Sequence, residues 1–284
     1  MPIVYDEIMK LKSEGKEFQY TERDCMLYAL GIGFMRDPLN EKELPFVYEN
    51  GLKAVPTMAT VIAFGQSLIG LTGVNFLMLV HGEQRLTIHK PLPPFGDIIS
   101  DERIVGAYDK GPDKGALIIS EKVIREKNSG EKLCTVRGTA FARGDGGFGG
   151  PKQGAPEPHA IPNRAPDLVH ETDTRSDQAF LYALSGDRNP LHRDPRVARM
   201  AGFPRPILQG LCTYGIACRS VLSTMCDYDP AKIAGFDVRF SAAVFPGETI
   251  VTEIWVDGAV ASFRSKVKER DVVCLNNGKC TLVQ

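Results

Sequence analysis

Hydrophobic and polar positions in the second half of the chain follow two different periods. Ala259, Ala261, Phe263, Ser265 and Val267 alternate with Ser262, Arg264, Lys266 and Lys268, the period-two mark of a strand with one wet face. Strands are also expected at 234–244, 249–256 and 272–283. Residues 210–225 differ, being apolar or small on nearly every side, which predicts a helix buried all round. A helix at about 176–184, a loop to Pro195 and a short helix precede it. The first half reads in the same order, with a buried helix over 57–69 and strands within 77–142. One buried helix followed by antiparallel strands makes an α+β unit. No βαβ alternation appears, and Gly31-Ile-Gly33 is no dinucleotide fingerprint.

The two halves are copies of one another. Leu27-Tyr-Ala-Leu30 returns as Leu181-Tyr-Ala-Leu184, and Arg36-Asp-Pro-Leu-Asn40 faces Arg188-Asn-Pro-Leu-His192. Arg85-Leu-Thr then Pro94-Phe-Gly-Asp97 is matched by Arg239-Phe-Ser then Phe245-Pro-Gly-Glu248. The ordered, nearly constant spacing marks a tandem repeat. Residues 143–167 hold 11 Gly or Pro among 25 and read as a linker. This gives three parts: 1–142, a linker at 143–167, and 168–284.

Composition narrows the class. Apolar residues make up 43% and charged residues 24% of the 284, which excludes a disordered chain or a disulfide mini-protein. A formal net charge of −1 gives no support for a nucleic-acid partner. The longest apolar stretch, about 55–80, is broken by Gln66, Thr72 and Asn75, so no membrane span is expected. Seven cysteines without a C-x-x-C pair point to a reducing compartment, with Cys212, Cys218 and Cys226 as small core residues. The N-terminus lacks the pattern of a signal peptide, and the chain ends in Thr-Leu-Val-Gln rather than a peroxisomal address.

Candidate chemistry concentrates in Ser185-Gly-Asp-Arg-Asn-Pro-Leu-His192. Asp187 and His192 form an acid/base pair of suitable type, since a carboxylate can orient an imidazole that titrates near neutrality. Asn189 offers a donor and an acceptor to a water or a carbonyl. Gln209-Gly210 opens the buried helix, whose free N–H groups suit an oxygen gaining negative charge. Taken alone, Asp-x-Asn-Pro also fits an ordinary turn. In the first copy, however, Met35, Asp37 and Asn40 stand where the second has Asp187, Asn189 and His192, while Arg, Pro and Leu are kept. One chemically competent half and one spare half is the simplest account.

Arg188, Arg193, Arg196, Arg199 and Arg205 face a single acidic residue, Asp194, over the same region. They read either as a solvated face or as an anchor for a phosphate-bearing ligand. Arg239, following Gly235-Phe236, is a further anchor candidate; because its counterpart Arg85 is also arginine, a structural ion pair is equally open. His81, His89, His159 and His170 lack metal-ligand spacing, and no metal is expected. Without a G-x-S-x-G elbow, a serine hydrolase is not supported.

Leu181-Tyr-Ala-Leu-Ser-Gly-Asp-Arg-Asn-Pro-Leu-His192, with Gly202-Phe-Pro-Arg-Pro-Ile-Leu-Gln-Gly-Leu-Cys-Thr-Tyr-Gly215, resembles the hydratase 2 motif of MaoC-like (R)-specific enoyl-CoA hydratases. Gly235-Phe-Asp-Val-Arg-Phe-Ser-Ala-Ala-Val-Phe-Pro-Gly-Glu248 extends the likeness. The resemblance implies a double hot-dog fold and reversible syn hydration of a trans-2-enoyl-CoA to a (3R)-3-hydroxyacyl-CoA. It implies Asp187 and His192 as the catalytic pair, Asn189 as a water-positioning partner and the Gly210 N–H as oxyanion donor. Arg188, Arg205, Gly235, Phe236 and Arg239 become candidate coenzyme A contacts. It further implies no cofactor beyond the coenzyme A of the substrate, a homodimer of double hot-dog subunits, and a degenerate first half. Met35, Asn40 and residues 57–69 would then belong to an apolar tunnel for the acyl tail. A bacterial cytoplasmic location is expected. A hot-dog thioesterase, a 3-hydroxyacyl dehydratase and a non-catalytic acyl-CoA binding protein are the alternatives.

Overall fold

The computed structural model describes residues 3–65 and 67–283. In the first half a single turn, α1 (Tyr5–Ile8), precedes strand β1 (Lys12–Tyr20) and helix α2 (Glu22–Gly31). The Asp24 carboxylate accepts both the N–H and the hydroxyl of Thr21 at 2.8 Å, fixing where α2 begins. Strands β2 (Leu79–Ile88), β3 (Gly96–Asp109), β4 (Ala116–Glu126) and β5 (Lys132–Ala142) follow. The second half repeats the order with β6 (Leu168–Asp173), α3 (Gln178–Tyr182), α4 (Pro195–Met200) and α5 (Gly210–Met225). It closes with β7 (Ile233–Phe240), β8 (Thr249–Asp257), β9 (Val260–Val267) and β10 (Val272–Leu282).

All ten strands form one antiparallel sheet, in the order β1-β3-β4-β5-β2-β7-β10-β9-β8-β6. Each half contributes five adjacent strands in equivalent order, and the halves join where β2 pairs with β7. That seam is self-complementary. Glu83 lies opposite Arg239 and Arg85 opposite Asp237, while by repeat spacing Glu83 corresponds to Asp237 and Arg85 to Arg239. A pairing in which i meets j and j meets i is the signature of a two-fold interface, here internal to one chain. Glu83 binds Arg239 at 3.3 Å and Arg85 at 3.1 Å, so the seam carries alternating charge on its outer face.

The inner face of the sheet wraps α5. Leu211 to Ala217 are all buried, as are Cys218, Val221 and Leu222. Gly215 sets how closely α2 approaches, since a Cβ there would come within 2.5 Å of Ile32 Cγ2. One apolar core runs through α2, α3, α5 and both halves of the sheet.

Three expectations need correction. The helix expected over 57–69 is only a 3₁₀ turn, Pro56–Thr60, then irregular chain and a second turn at Leu68–Leu71. Thr57, Thr60, Val61 and Ile62 are β-branched, and Gly65 and Gly70 follow, so the local preference for helix is weak. The first turn is nonetheless buried against α5 and the sheet, which is why its apolar run resembles a core helix. Strands β1 and β6 were not expected at all. They are the two edges of the sheet, and their many charged residues hide any alternation. Finally, Gly235 and Phe236 pair within the seam and are buried, so neither offers a surface to coenzyme A. Arg239 pairs with Glu83 at 3.3 Å while its side chain stays 46% exposed, so it is both a seam residue and a candidate contact.

A second tie between the halves is buried. Glu43 is fully enclosed and its Oε1 receives Arg219 of α5 at 2.6 Å, while its Oε2 accepts the Met35 N–H at 2.6 Å. Tyr228 donates to the same carboxylate at 3.3 Å, and Asn40 Nδ2 reaches the Tyr228 hydroxyl at 3.4 Å. Met35 and Asn40 thus gather near Arg219 and beyond, roughly 14 Å or more along α5 from Gly210 at 1.5 Å per residue. They do not stand beside the loop of Asp187 and His192. Removing one partner of such a pair strands the other's charge in the interior. Glu43→Ala is expected to destabilise the fold by about 3–5 kcal/mol, measured as a lowered urea midpoint.

Candidate active site

The loop after α3 is shaped by its backbone. Gly186 has φ +121, a region essentially closed to side-chain-bearing residues, and it turns the chain so that Asp187 faces inward. A Cβ at Gly186 would lie 3.2 Å from the Cβ of Phe64, a first-half residue. Asn189 caps the short 3₁₀ turn Pro190–His192, its Oδ1 accepting the Leu191 N–H at 3.0 Å. The Asn189 N–H in turn donates to Asp187 Oδ1 at 3.2 Å. Asn189 therefore holds the loop with its carbonyl oxygen and backbone, leaving its amide NH₂ as the remaining donor.

His192 sits behind this turn with a side chain only 10% exposed, against 20% for Asp187. Its Nδ1 is 2.9 Å from the Ile207 carbonyl. A carbonyl only accepts, so Nδ1 carries the proton and Nε2 of the neutral ring presents its lone pair. That Nε2 faces Asp187 Oδ2 across 3.8 Å, too far for a direct hydrogen bond and suited to a bridging water. Burial pushes the His192 pKa down. The charge of Asp187 and the Ile207 carbonyl oppose the shift without cancelling it, and Arg193 adds to it.

Ile207 leads directly into α5, so the hydrogen bond that sets the tautomer also ties the loop to the helix N-terminus. Cys212 and Thr213 donate to the Gln209 carbonyl at 3.0 and 3.2 Å. Gly210 and Leu211 lead the helix, and among the described residues their N–H groups take no backbone acceptor. The Phe240 ring lies against Gly210, and its other neighbour is His81, with ring centroids 4.6 Å apart. His81 is an exposed residue, yet desolvation of its ring pushes its pKa down. A hydrogen bond to the Glu83 carbonyl and the charge of Asp187 oppose that shift. His81, Phe64 and Phe240 thus join the neighbourhood of the loop. Only the fold announces the first two, because they come from the half without the Asp/His pair.

The candidate anion anchors separate. Arg188 and Arg205 are exposed, and Arg205 lies over the Phe245 ring and donates to the Pro246 carbonyl at 3.1 Å. Pro190, Arg193, Arg196 and Arg199 line an open cleft of about 590 Å³ next to the loop, with Arg196 held by Asp194 at 2.9 Å. A larger groove of about 930 Å³ lies on the outer face of the sheet, across Arg103, Glu121 and Arg137. It does not include the loop, and Glu121 there is held by two arginines. No helix among the described residues is long and apolar enough to cross a membrane.

Comparison with known proteins places the whole chain. Residues 158–277 match the MaoC like domain, and residues 18–144 match the MFE-2 hydratase 2 N-terminal domain. The peroxisomal enoyl-CoA hydratase 2 of Arabidopsis thaliana is 40% identical, over 95% of this chain and 93% of its own. The chain belongs to the MaoC-like hydratase 2 family. A probable enoyl-CoA hydratase 2 of Dictyostelium discoideum is 39% identical over 98% of this chain and 96% of its own. The crystal structure of a MaoC-like dehydratase from Phytophthora capsici superposes with a TM-score of 0.87 at 32% identity. That match covers 98% of this chain and 97% of that one. The double hot-dog architecture is shared within this family, and the sheet order above is its form in this member.

The state of the histidine is directly measurable. Nitrogen-detected NMR of the ring is expected to show the Nδ1–H tautomer, titrating below the ordinary 6.5. The unfolded ring takes a proton that the folded one refuses, so the folded state binds fewer protons and stability falls as pH drops below that value.

Proposed function

We propose that this chain is an (R)-specific enoyl-CoA hydratase, a hydro-lyase adding water reversibly and syn across a trans-2-enoyl-CoA to give the (3R)-3-hydroxyacyl-CoA. The observation that carries the reading is the 3.8 Å separation of two acceptors, Asp187 Oδ2 and the unprotonated His192 Nε2. A water between them donates one hydrogen to each and turns a lone pair toward the substrate. As its oxygen bonds to C3, one proton passes to the pair, and the electrons of the double bond move through C2 onto the thioester oxygen. That oxygen gains its charge beside the Gly210 N–H, at the positive end of α5. The proton returns from the pair to C2 on the same face, so both parts of one water enter the product and the addition is syn. Asp187 and His192 act as one coupled unit in this scheme.

The rest of the molecule is assigned around that step. Arg188 and Arg205, with the arginines of the cleft along α4, are proposed to meet the coenzyme A phosphates, since guanidinium pairs with phosphate through two parallel hydrogen bonds. The tail is assigned to the first half. Phe64, Leu71, Phe76 and Met78 are exposed apolar residues of the segment that replaces a central helix, and Phe64 lies on Gly186. The catalytic second half, the degenerate first half and the linker at 143–167 are part of the same proposal, as is assembly into a homodimer. The seven cysteines are buried free thiols, which supports a reducing compartment; a bacterial cytoplasm is the one we propose.

General acid–base assistance is worth ~10²–10⁴-fold. Asp187→Asn and His192→Ala are each expected to lower crotonyl-CoA hydration by at least that much with the fold retained. The assay follows loss of the enoyl absorbance without release of free thiol; thiol release would instead identify a thioesterase, and near-normal hydration in either variant would overturn the site. Calorimetric titration of the Asp187→Asn protein with a saturated long-chain acyl-CoA is expected to give one ligand per chain. Two equivalent sites would contradict the spare role of the first half.

A further inference from the structure

Tyr28 and Tyr182 are equivalent in the repeat, both are fully buried, and their rings meet at 6.0 Å between centroids. Their hydroxyls fare differently. Tyr28 donates to Thr57 Oγ1 at 3.0 Å, whereas the Tyr182 hydroxyl has no hydrogen-bond partner among the described residues. The Tyr28 oxygen is its neighbour but lies outside hydrogen-bonding geometry. Two more buried polar atoms of this half are unpartnered among the described residues, Ser185 Oγ and Gln209 Oε1. Gln209 donates through Nε2 to the Ala179 carbonyl at 2.9 Å, which places its side chain against α3. Ala179, Tyr182 and Ala183 share one face of that helix at spacings of three and four, and Ser185 follows one turn later. Ser185 stands two residues before Asp187 in the chain, and Tyr182 interacts electrostatically with Asp187.

Unpaired polar atoms in a dry interior are costly, and three together form two donors and an acceptor that a single water can satisfy. We propose that Tyr182 is a positioning residue for the hydration step: with Ser185 and Gln209 it holds an ordered water behind the catalytic loop and keeps Asp187 turned toward His192. The half with the competent loop is the half whose tyrosine hydroxyl is not consumed by a threonine. This inference rests on the hydratase reading and extends it to residues that never touch substrate.

The test compares Tyr182→Phe with Tyr28→Phe, each removing one hydroxyl and little volume. For Tyr182→Phe, kcat for crotonyl-CoA hydration is expected to fall about tenfold, the size of one lost orienting hydrogen bond, with KM unchanged and the thermal midpoint equal to or above that of the natural chain. A hydroxyl with a merely structural role would lower the midpoint and spare kcat. Tyr28→Phe is expected to show that structural pattern, since its hydroxyl is satisfied by Thr57. The proposal is overturned if Tyr182→Phe keeps kcat within about twofold, or if Tyr28→Phe lowers kcat equally, which would make the tyrosine pair itself the partner. A natural chain that fails to hydrate crotonyl-CoA overturns the hydratase reading together with this one. An active natural chain with an indifferent Tyr182→Phe overturns this one alone.

Discussion

The antiparallel pairing of β2 with β7 is the contact on which the rest of the molecule depends. It converts two five-stranded sheets into one surface long enough to enclose α5 on most sides. Either half alone would leave an apolar helix or an apolar sheet face in water, and burial of that surface is the dominant favourable term in folding. The seam is specified by charge as well as by backbone. Glu83 opposite Arg239 and Arg85 opposite Asp237 reward one register, and a slip of one residue would turn every side chain to the other face.

The site follows from the same constraint. A helix enclosed by a sheet has its N-terminal N–H groups inside the protein, where they need a partner. At Gly210 the proposed partner is the thioester oxygen of the substrate, while the other end of α5 is anchored to the first half through Arg219 and Glu43. The loop bearing Asp187 and His192 is tied to the helix entrance by the Ile207 carbonyl and pressed from the opposite half at Gly186. The repeat thus supplies two kinds of wall. One half provides polar groups with defined proton positions, and the other provides apolar side chains on a segment that never became a helix.

Much of this was legible in the sequence. The tandem repeat, the extent of α5 and the contrast of Met35, Asp37 and Asn40 with Asp187, Asn189 and His192 all depend on local periodicity or on comparing the chain with itself. What escaped has a common cause. Strands β1 and β6 are edges whose polarity erases the alternation that marks a strand. Residues 57–69 look like a core helix because they are buried like one, and burial is what apolar periodicity reports. Gly235 and Phe236 looked available for a ligand, yet the seam buries them. Met35 and Asn40 occupy the loop equivalent to that of Asp187 and His192, and the internal two-fold carries it to the far end of α5.

The sequence by itself therefore determined the α+β class and the duplication and singled out Asp187 and His192 as the proposed acid/base pair, because those readings depend on residue type and spacing along the chain. Only the tertiary structure decided the tautomer of His192, the 3.8 Å gap opposite Asp187 and the presence of Phe64 and His81 beside the loop. These depend on which distant carbonyl, ring or charge is brought within a few ångströms. That proximity is produced by strand pairing and core packing across more than a hundred residues, and no local pattern encodes it.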